Sequence, residues 1–116
     1  MMNSSYNDLK WEMDDVTITI SDIEPLLSDI RLISIDSIFH LCIHRNKPSD
    51  DTRQRSHDAN LDYPIIVSTL NNKIEMVLDG HHRLLKAKSE HRTHMKARLL
   101  ALDELPIKYQ RLFVAT

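Results

Sequence analysis

Five consecutive residues, Asp79-Gly80-His81-His82-Arg83, bring together a carboxylate, the only glycine of the chain, two imidazoles and a guanidinium where an apolar run turns into a basic, helix-favouring one. The glycine permits a sharp turn or a close backbone approach that a side chain would obstruct. A helix opening just after it leaves its first amide N–H groups without intrahelical partners, and such an end attracts anions. With Arg83 in the first turn as a bidentate fork, and His81 and His82 beside it, the expected occupant is a phosphate group. Gly80, His81, His82 and Arg83 are therefore the expected phosphate cradle. The bland alternative is a turn whose glycine serves geometry and whose Arg83 pairs with an acidic neighbour.

The other chemistry-bearing residues point elsewhere. The chain has seven histidines, which raises the question of zinc. His81 and His82 are adjacent, and His91 and His94 flank the expected end of their helix, so none of them supplies the spacing of a familiar zinc site. His40 and His44 stand four apart but have no third ligand nearby in sequence. Cys42, the lone cysteine, sits among Phe39, Leu41 and Ile43 and reads as a buried structural thiol without a disulfide partner.

A chain of 116 residues supports one compact domain, and 41% hydrophobic with 28% charged residues is the balance of a globular protein. An aromatic content of 5% argues against a broad stacking platform for bases. No run approaches the roughly 20 apolar residues that cross a bilayer, so no membrane association is expected. Met1-Met2-Asn3-Ser4-Ser5 lacks the basic and apolar segments of a secretory signal, which makes a cytoplasmic location the expectation. The net charge of −2 hides an asymmetry. From Asp8 to Asp36 eight acidic residues face two basic ones, whereas from Gly80 to Arg98 six basic residues face only Glu90. The basic segment suits nucleotides, nucleic acid or an acidic protein; equally, the two segments attract each other within the fold.

Periodicity gives the elements that must position these groups. Residues 1–15 read as a flexible N-terminal segment in which Trp11 is a possible anchor, and 16–116 as a single domain. Val16-Thr17-Ile18-Thr19-Ile20 alternates as a half-buried strand, and Ile30 to Ile35 as a second, with Asp36 or Ser37 capping a short turn through Ile38. Residues 46–62 are almost devoid of apolar side chains and predict a long exposed loop. Pro64 opens a strand through Thr69, Asn71-Asn72 turns it, and Ile74 to Leu78 returns as a hairpin that delivers Gly80. A helix follows from His81 to Glu90. Met95 to Leu102 fits strand or helix, and Asp103-Glu104-Leu105-Pro106 resembles the capped start of a last helix through Phe113.

Tyr63-Pro64-Ile65-Ile66-Val67, then Val77-Leu78-Asp79-Gly80-His81-His82-Arg83-Leu84-Leu85, then Ala97-Arg98-Leu99-Leu100 and Leu102-Asp103-Glu104-Leu105 resemble the ParB/sulfiredoxin superfamily over residues 30–113. The resemblance implies a small α+β fold, a mixed sheet with flanking helices. It also implies a nucleotide (ATP, ADP or CTP) with Mg²⁺, its phosphates on Gly80, His81, His82 and Arg83, and Asp79 fixing the turn or meeting the metal-bound phosphate. Sulfiredoxins carry a reactive cysteine where this chain has His81, so sulfinic-acid reduction is not implied. Partition proteins continue into a helix-turn-helix domain, for which no residues follow Thr116. The free-serine kinases are nearest at Asp-Gly-His-His-Arg but use a glutamate in the region that here reads Leu41 to Asn46, which leaves His44, with His82, as candidate catalytic groups. Phosphoryl transfer or nucleotide hydrolysis is the chemistry implied. Two other classes stay open: a nucleic-acid-binding or nuclease domain using Arg83, Lys86, Lys88, Arg92, Lys96 and Arg98, and a non-catalytic module gripping a partner protein, of the kind a phage could encode.

Overall fold

A computed structural model describes residues 10–13, 15–46 and 48–114. The expectation of a flexible segment at residues 1–9 lies outside them. Lys10–Met13, however, forms strand β1, paired antiparallel with β2, Val16–Thr19, in a register that sets Trp11 opposite Ile18. Trp11 is indeed an anchor: its ring meets Phe113 edge-on with centroids 5.2 Å apart. The strand thus survives in a polar stretch because one indole packs on the core. Thr19 and Asp22 form a capping box that opens α1, Ile20–Ile23, and both isoleucines are buried.

The central sheet has four strands in the order β3-β6-β4-β5, where β3 is Arg31–Ser34, β4 Ile65–Leu70, β5 Lys73–Asp79 and β6 His94–Ala101. β4 runs parallel to β6, and the other neighbours are antiparallel. The domain is therefore α+β with a mixed sheet, as its sequence predicts. The segment that fitted strand or helix is a strand because it lies between β3 and β4, with Met95, Ala97 and Leu100 buried. Asn71 and Asn72 turn β4 into β5 with φ of 53° and 66°, the left-handed geometry that asparagine tolerates.

Two apolar layers cover the sheet. On one face Ile65, Val67, Val77, Met95 and Ala97 meet Ile35 and Ile38 of α2, Ile35–Ile38, and Leu84 and Ala87 of α4, His81–Ser89. On the other, Ile66, Leu78 and Leu100 meet Ile18, Ile20, Ile23, Leu112 and Phe113. Buried Ser68 fastens that second layer, its hydroxyl donating to the Phe113 carbonyl at 2.6 Å.

Three local expectations are corrected. Residues 46–62 are not all loop, since α3, Asp50–Asp58, stands within them. Ser49 caps its Thr52 N–H at 3.1 Å, and the side chains turned inward are Thr52 and Ser56, too small and polar to register as an apolar stripe. The residue capping α2 is Ser34, not Asp36 or Ser37; the Ser37 hydroxyl donates to the Ser34 carbonyl instead. The last helix, α5, spans only Ile107–Gln110 from Pro106, because the Asp103 carboxylate accepts the Asn71 N–H at 3.0 Å and caps the hairpin rather than the helix. Among the described residues no helix is long and apolar enough to cross a membrane.

Candidate functional site

Gly80 joins β5 to α4 with φ +99° and ψ 23°, a conformation L side chains rarely adopt. A Cβ at this position would lie 2.9 Å from Ile65 Cβ and closer still to its Cγ2. Glycine is thus required twice over, by conformation and by the strand that passes behind it. No side chain caps the helix at Gly80, and the first helical bond runs from the Leu84 N–H to the Gly80 carbonyl. The amides of His81, His82 and Arg83 are left with no intrahelical acceptor.

The end so exposed opens on a cleft of about 440 Å³ lined by Ile43, His44, Arg55, Ala59 and Leu78 to Arg83. Its size is that of a small-ligand site. Two other clefts, of about 480 and 460 Å³, lie around the ends of α3 and α4, so volume does not select among them. The helix end and the state of Arg83 do.

Arg83 is buried, with its side chain only 10% exposed, and its Nη2 donates to Asp79 Oδ2 at 3.1 Å and to the Pro64 carbonyl at 3.4 Å. The guanidinium therefore spans strand, turn and helix instead of standing free as a fork, and one of its edges has the bland role. Its Nε, equally buried, has no acceptor. An orphan donor on a cation is costly, so the side chain retains a capacity for one more oxygen.

His81 departs from expectation. Its Nδ1 accepts the Ile43 N–H at 3.2 Å, which fixes that nitrogen as unprotonated. Burial first, then the charge of His44, holds the ring down to a pKa of about 4, a hydrogen bond with the Val77 backbone opposing them. The ring is a fastening between the Ile43 turn and the sheet, and its imidazole is committed to that contact. The Cys42 thiol beside it points to the His81 carbonyl at 3.6 Å and is pushed up by burial, which keeps it an inert, protonated core group.

His44 and His82, the two candidate catalytic groups, do come together. Their rings stack with centroids 4.6 Å apart and 32° between planes. His82 is held below the ordinary imidazole value by burial, then by the charges of His44 and Arg55, with Asp51 opposing and Arg83 adding to the depression. Arg55 is the residue that sequence reasoning missed. It reaches the cleft from α3 and pairs with Asp51 at 3.1 Å. The signal was present in Ser49-Asp50-Asp51, a cap followed by an acidic first turn, and in the i, i+4 spacing of Asp51 and Arg55.

Asp79 does not fit the metal role assigned to it. Its carboxylate serves Arg83, and among the described residues no three His, Cys, Asp or Glu side chains could hold a metal ion together. The basic row expected to follow a nucleic-acid backbone is likewise dispersed. Arg83 is buried, and Lys86 donates to the His57 and Ala59 carbonyls at 3.0 and 2.7 Å, closing the end of α3. Lys88 pairs with Asp36 at 2.9 Å and, by that hydrogen bond, lowers the Asp36 carboxyl below its usual value. Arg92 pairs with Glu90 at 2.9 Å, and Arg98 Nε donates to the Ser28 carbonyl at 2.9 Å. Lys96 stays exposed on β6.

Comparison of the chain with protein-family models, with curated proteins and with solved structures gives no match.

Proposed function

We propose that the chain is a ParB/sulfiredoxin-like nucleotide- or phosphate-binding domain, and that the ligand's phosphate sits at the N-terminus of α4. The observation that carries this reading is the buried Arg83 Nε without an acceptor, beside the amides of His81, His82 and Arg83, which precede the first intrahelical bond and have no capping side chain. Helix-end amides and a desolvated guanidinium are the groups that phosphate recognition uses. Arg55 adds a cation to the lining, and exposed Ile43 adds an apolar side chain. A cytoplasmic setting, where nucleotides are plentiful, accords with the single reduced cysteine.

If the bound phosphoryl group is transferred or hydrolysed, His44 or His82 takes the nucleophile's proton, since Asp79, the carboxylate lining the cleft, is committed to Arg83 and Asp51 to Arg55. Arg83 and the helix-end amides would stabilise charge on the transferred group. Mg²⁺ would enter such a reaction with the phosphates, since among the described residues no three His, Cys, Asp or Glu side chains could hold it together.

Isothermal titration with ATP, ADP, CTP and GTP plus Mg²⁺ tests the reading, on the natural chain and on Arg55→Ala. That variant removes only an exposed ion pair and leaves the buried Arg83–Asp79 pair intact. Saturable binding that weakens in Arg55→Ala supports the site. Absence of binding down to about millimolar affinity would sink the nucleotide claim.

A further inference from the structure

The cations around the cleft are already paired. Arg83 is matched by Asp79, and Arg55 by Asp51, each pair at 3.1 Å. His81 is neutral, its Nδ1 committed to the Ile43 N–H. Beyond these, Arg45 follows His44 and is turned away, its Nη1 donating to the Cys42 carbonyl, and Lys86 is spent on the carbonyls that end α3. Apart from the imidazoles, the charged side chains lining the cleft are Arg55 and Arg83 against Asp79, with Asp51 pairing Arg55 from outside it, so the lining offers one net positive charge beside the partial positive charge of the helix end.

A phosphate group arriving with two negative charges exceeds that single net positive charge by one. Imidazole is the side chain that ordinarily exchanges a proton near neutral pH, and beside the fastened His81 the cleft is lined by two, His44 and His82, stacked 4.6 Å apart. His82 resists a proton while the cleft is empty, held below the ordinary imidazole value by burial first and then by the charges of His44, Arg55 and Arg83, with Asp51 opposing. An anion between the two stacked rings and the helix end reverses that field. We infer that a dianionic terminal phosphate binds together with a proton taken up by the His44–His82 pair, so that the site selects phosphomonoester-type groups over the singly charged diester of a nucleic-acid backbone. This inference rests on the phosphate reading above. The step is balanced: one proton moves from solvent to an imidazole nitrogen, and no covalent bond to the ligand forms or breaks.

Inorganic sulfate is the probe, because it stays a dianion throughout the range and any proton uptake belongs to the protein. Calorimetric titration of the full chain from about pH 8 to about pH 6, in buffers of differing ionisation enthalpy, should show affinity rising towards about tenfold per pH unit and uptake approaching about one proton per sulfate. His82→Gln and His44→Gln, with native circular dichroism, should each bind sulfate with less of this dependence. Binding that is independent of pH, without proton uptake, overturns the coupling and leaves the anion site standing. Uptake that persists undiminished in both variants overturns its assignment to the pair. No sulfate binding at any pH removes the anion site and the inference with it. Where a variant fails to fold, the pH series on the natural chain decides alone.

Discussion

Arg83 Nη2 donates to Asp79 Oδ2 at 3.1 Å, while Nε of the same buried guanidinium has no acceptor. One side chain therefore does two jobs at the strand-to-helix junction. Its paired edge closes the turn around Gly80, and its unpaired nitrogen leaves the junction chemically unfinished.

The paired edge predicts a stability effect. The side chains of Arg83 and Asp79 are 10% and 14% exposed, so removing one partner strands the other charge away from water. Arg83→Met should cost about 3–5 kcal/mol in urea unfolding. The double variant Arg83→Met with Asp79→Leu should recover part of that loss, since neither charge then needs a partner. Additive losses, the double variant losing the sum of the Arg83→Met and Asp79→Leu losses, would show that the pair itself matters little.

Gly80→Ala should destabilise more than any other single-methyl addition in the chain. The φ of +99° and the approach of Ile65 act together, and the combined cost is on the order of 2–5 kcal/mol. Pairing Gly80→Ala with Ile65→Val measures the steric share, because trimming Ile65 relieves the collision but not the backbone strain.

His81 makes stability depend on pH. Its folded pKa of about 4 lies below the usual 6.5, so between those values the unfolded chain binds more protons than the folded one. The contribution is fully present above about pH 6.5 and is lost as pH falls towards about 4. Denaturant midpoints measured across this window should drop, and a nuclear magnetic resonance titration of the His81 ring should show its midpoint near the lower end. A midpoint near the ordinary value would contradict the Ile43 fastening.

Ser49→Ala should lower stability by about 0.5–2 kcal/mol, since α3 depends on its cap more than on burial. Hydrogen exchange should quicken across residues 50–58 before the sheet is affected. Because α3 carries Arg55, phosphate binding should weaken with it.

β2 to β5 and the Gly80 turn were legible in the sequence because each rests on local pattern: alternation in Val16 to Thr19, asparagines at the hairpin turn, a lone glycine before a basic helix; β1, read as flexible, and β6, left open between strand and helix, were not. What escaped depends on distant partners. α3 turns Thr52 and Ser56 inward, so no apolar period announces it. The His81 ring is fixed by Ile43, 38 residues earlier in the chain, a contact that no spacing reveals. The sequence marked Arg83 as the cradle's cation and, in its bland reading, paired it with an unnamed acidic neighbour; that this neighbour is Asp79, and which edge of the guanidinium it takes, follows only from the turn at left-handed Gly80. The same dependence on tertiary placement dispersed the basic residues after Arg83 into local pairs.

The most direct test of phosphate binding at α4 is a ¹⁵N–¹H titration of the labelled chain with ATP and Mg²⁺, following the amides of Gly80, His81, His82 and Arg83 together with the Arg83 Nε–H. Saturable shifts concentrated on these groups and on Arg55, with the Nε–H moving downfield as it gains an acceptor, are the predicted result. Shifts that fail to saturate there, or that fall instead on the cleft lined by Asp58, Glu90 and Lys96, would contradict it.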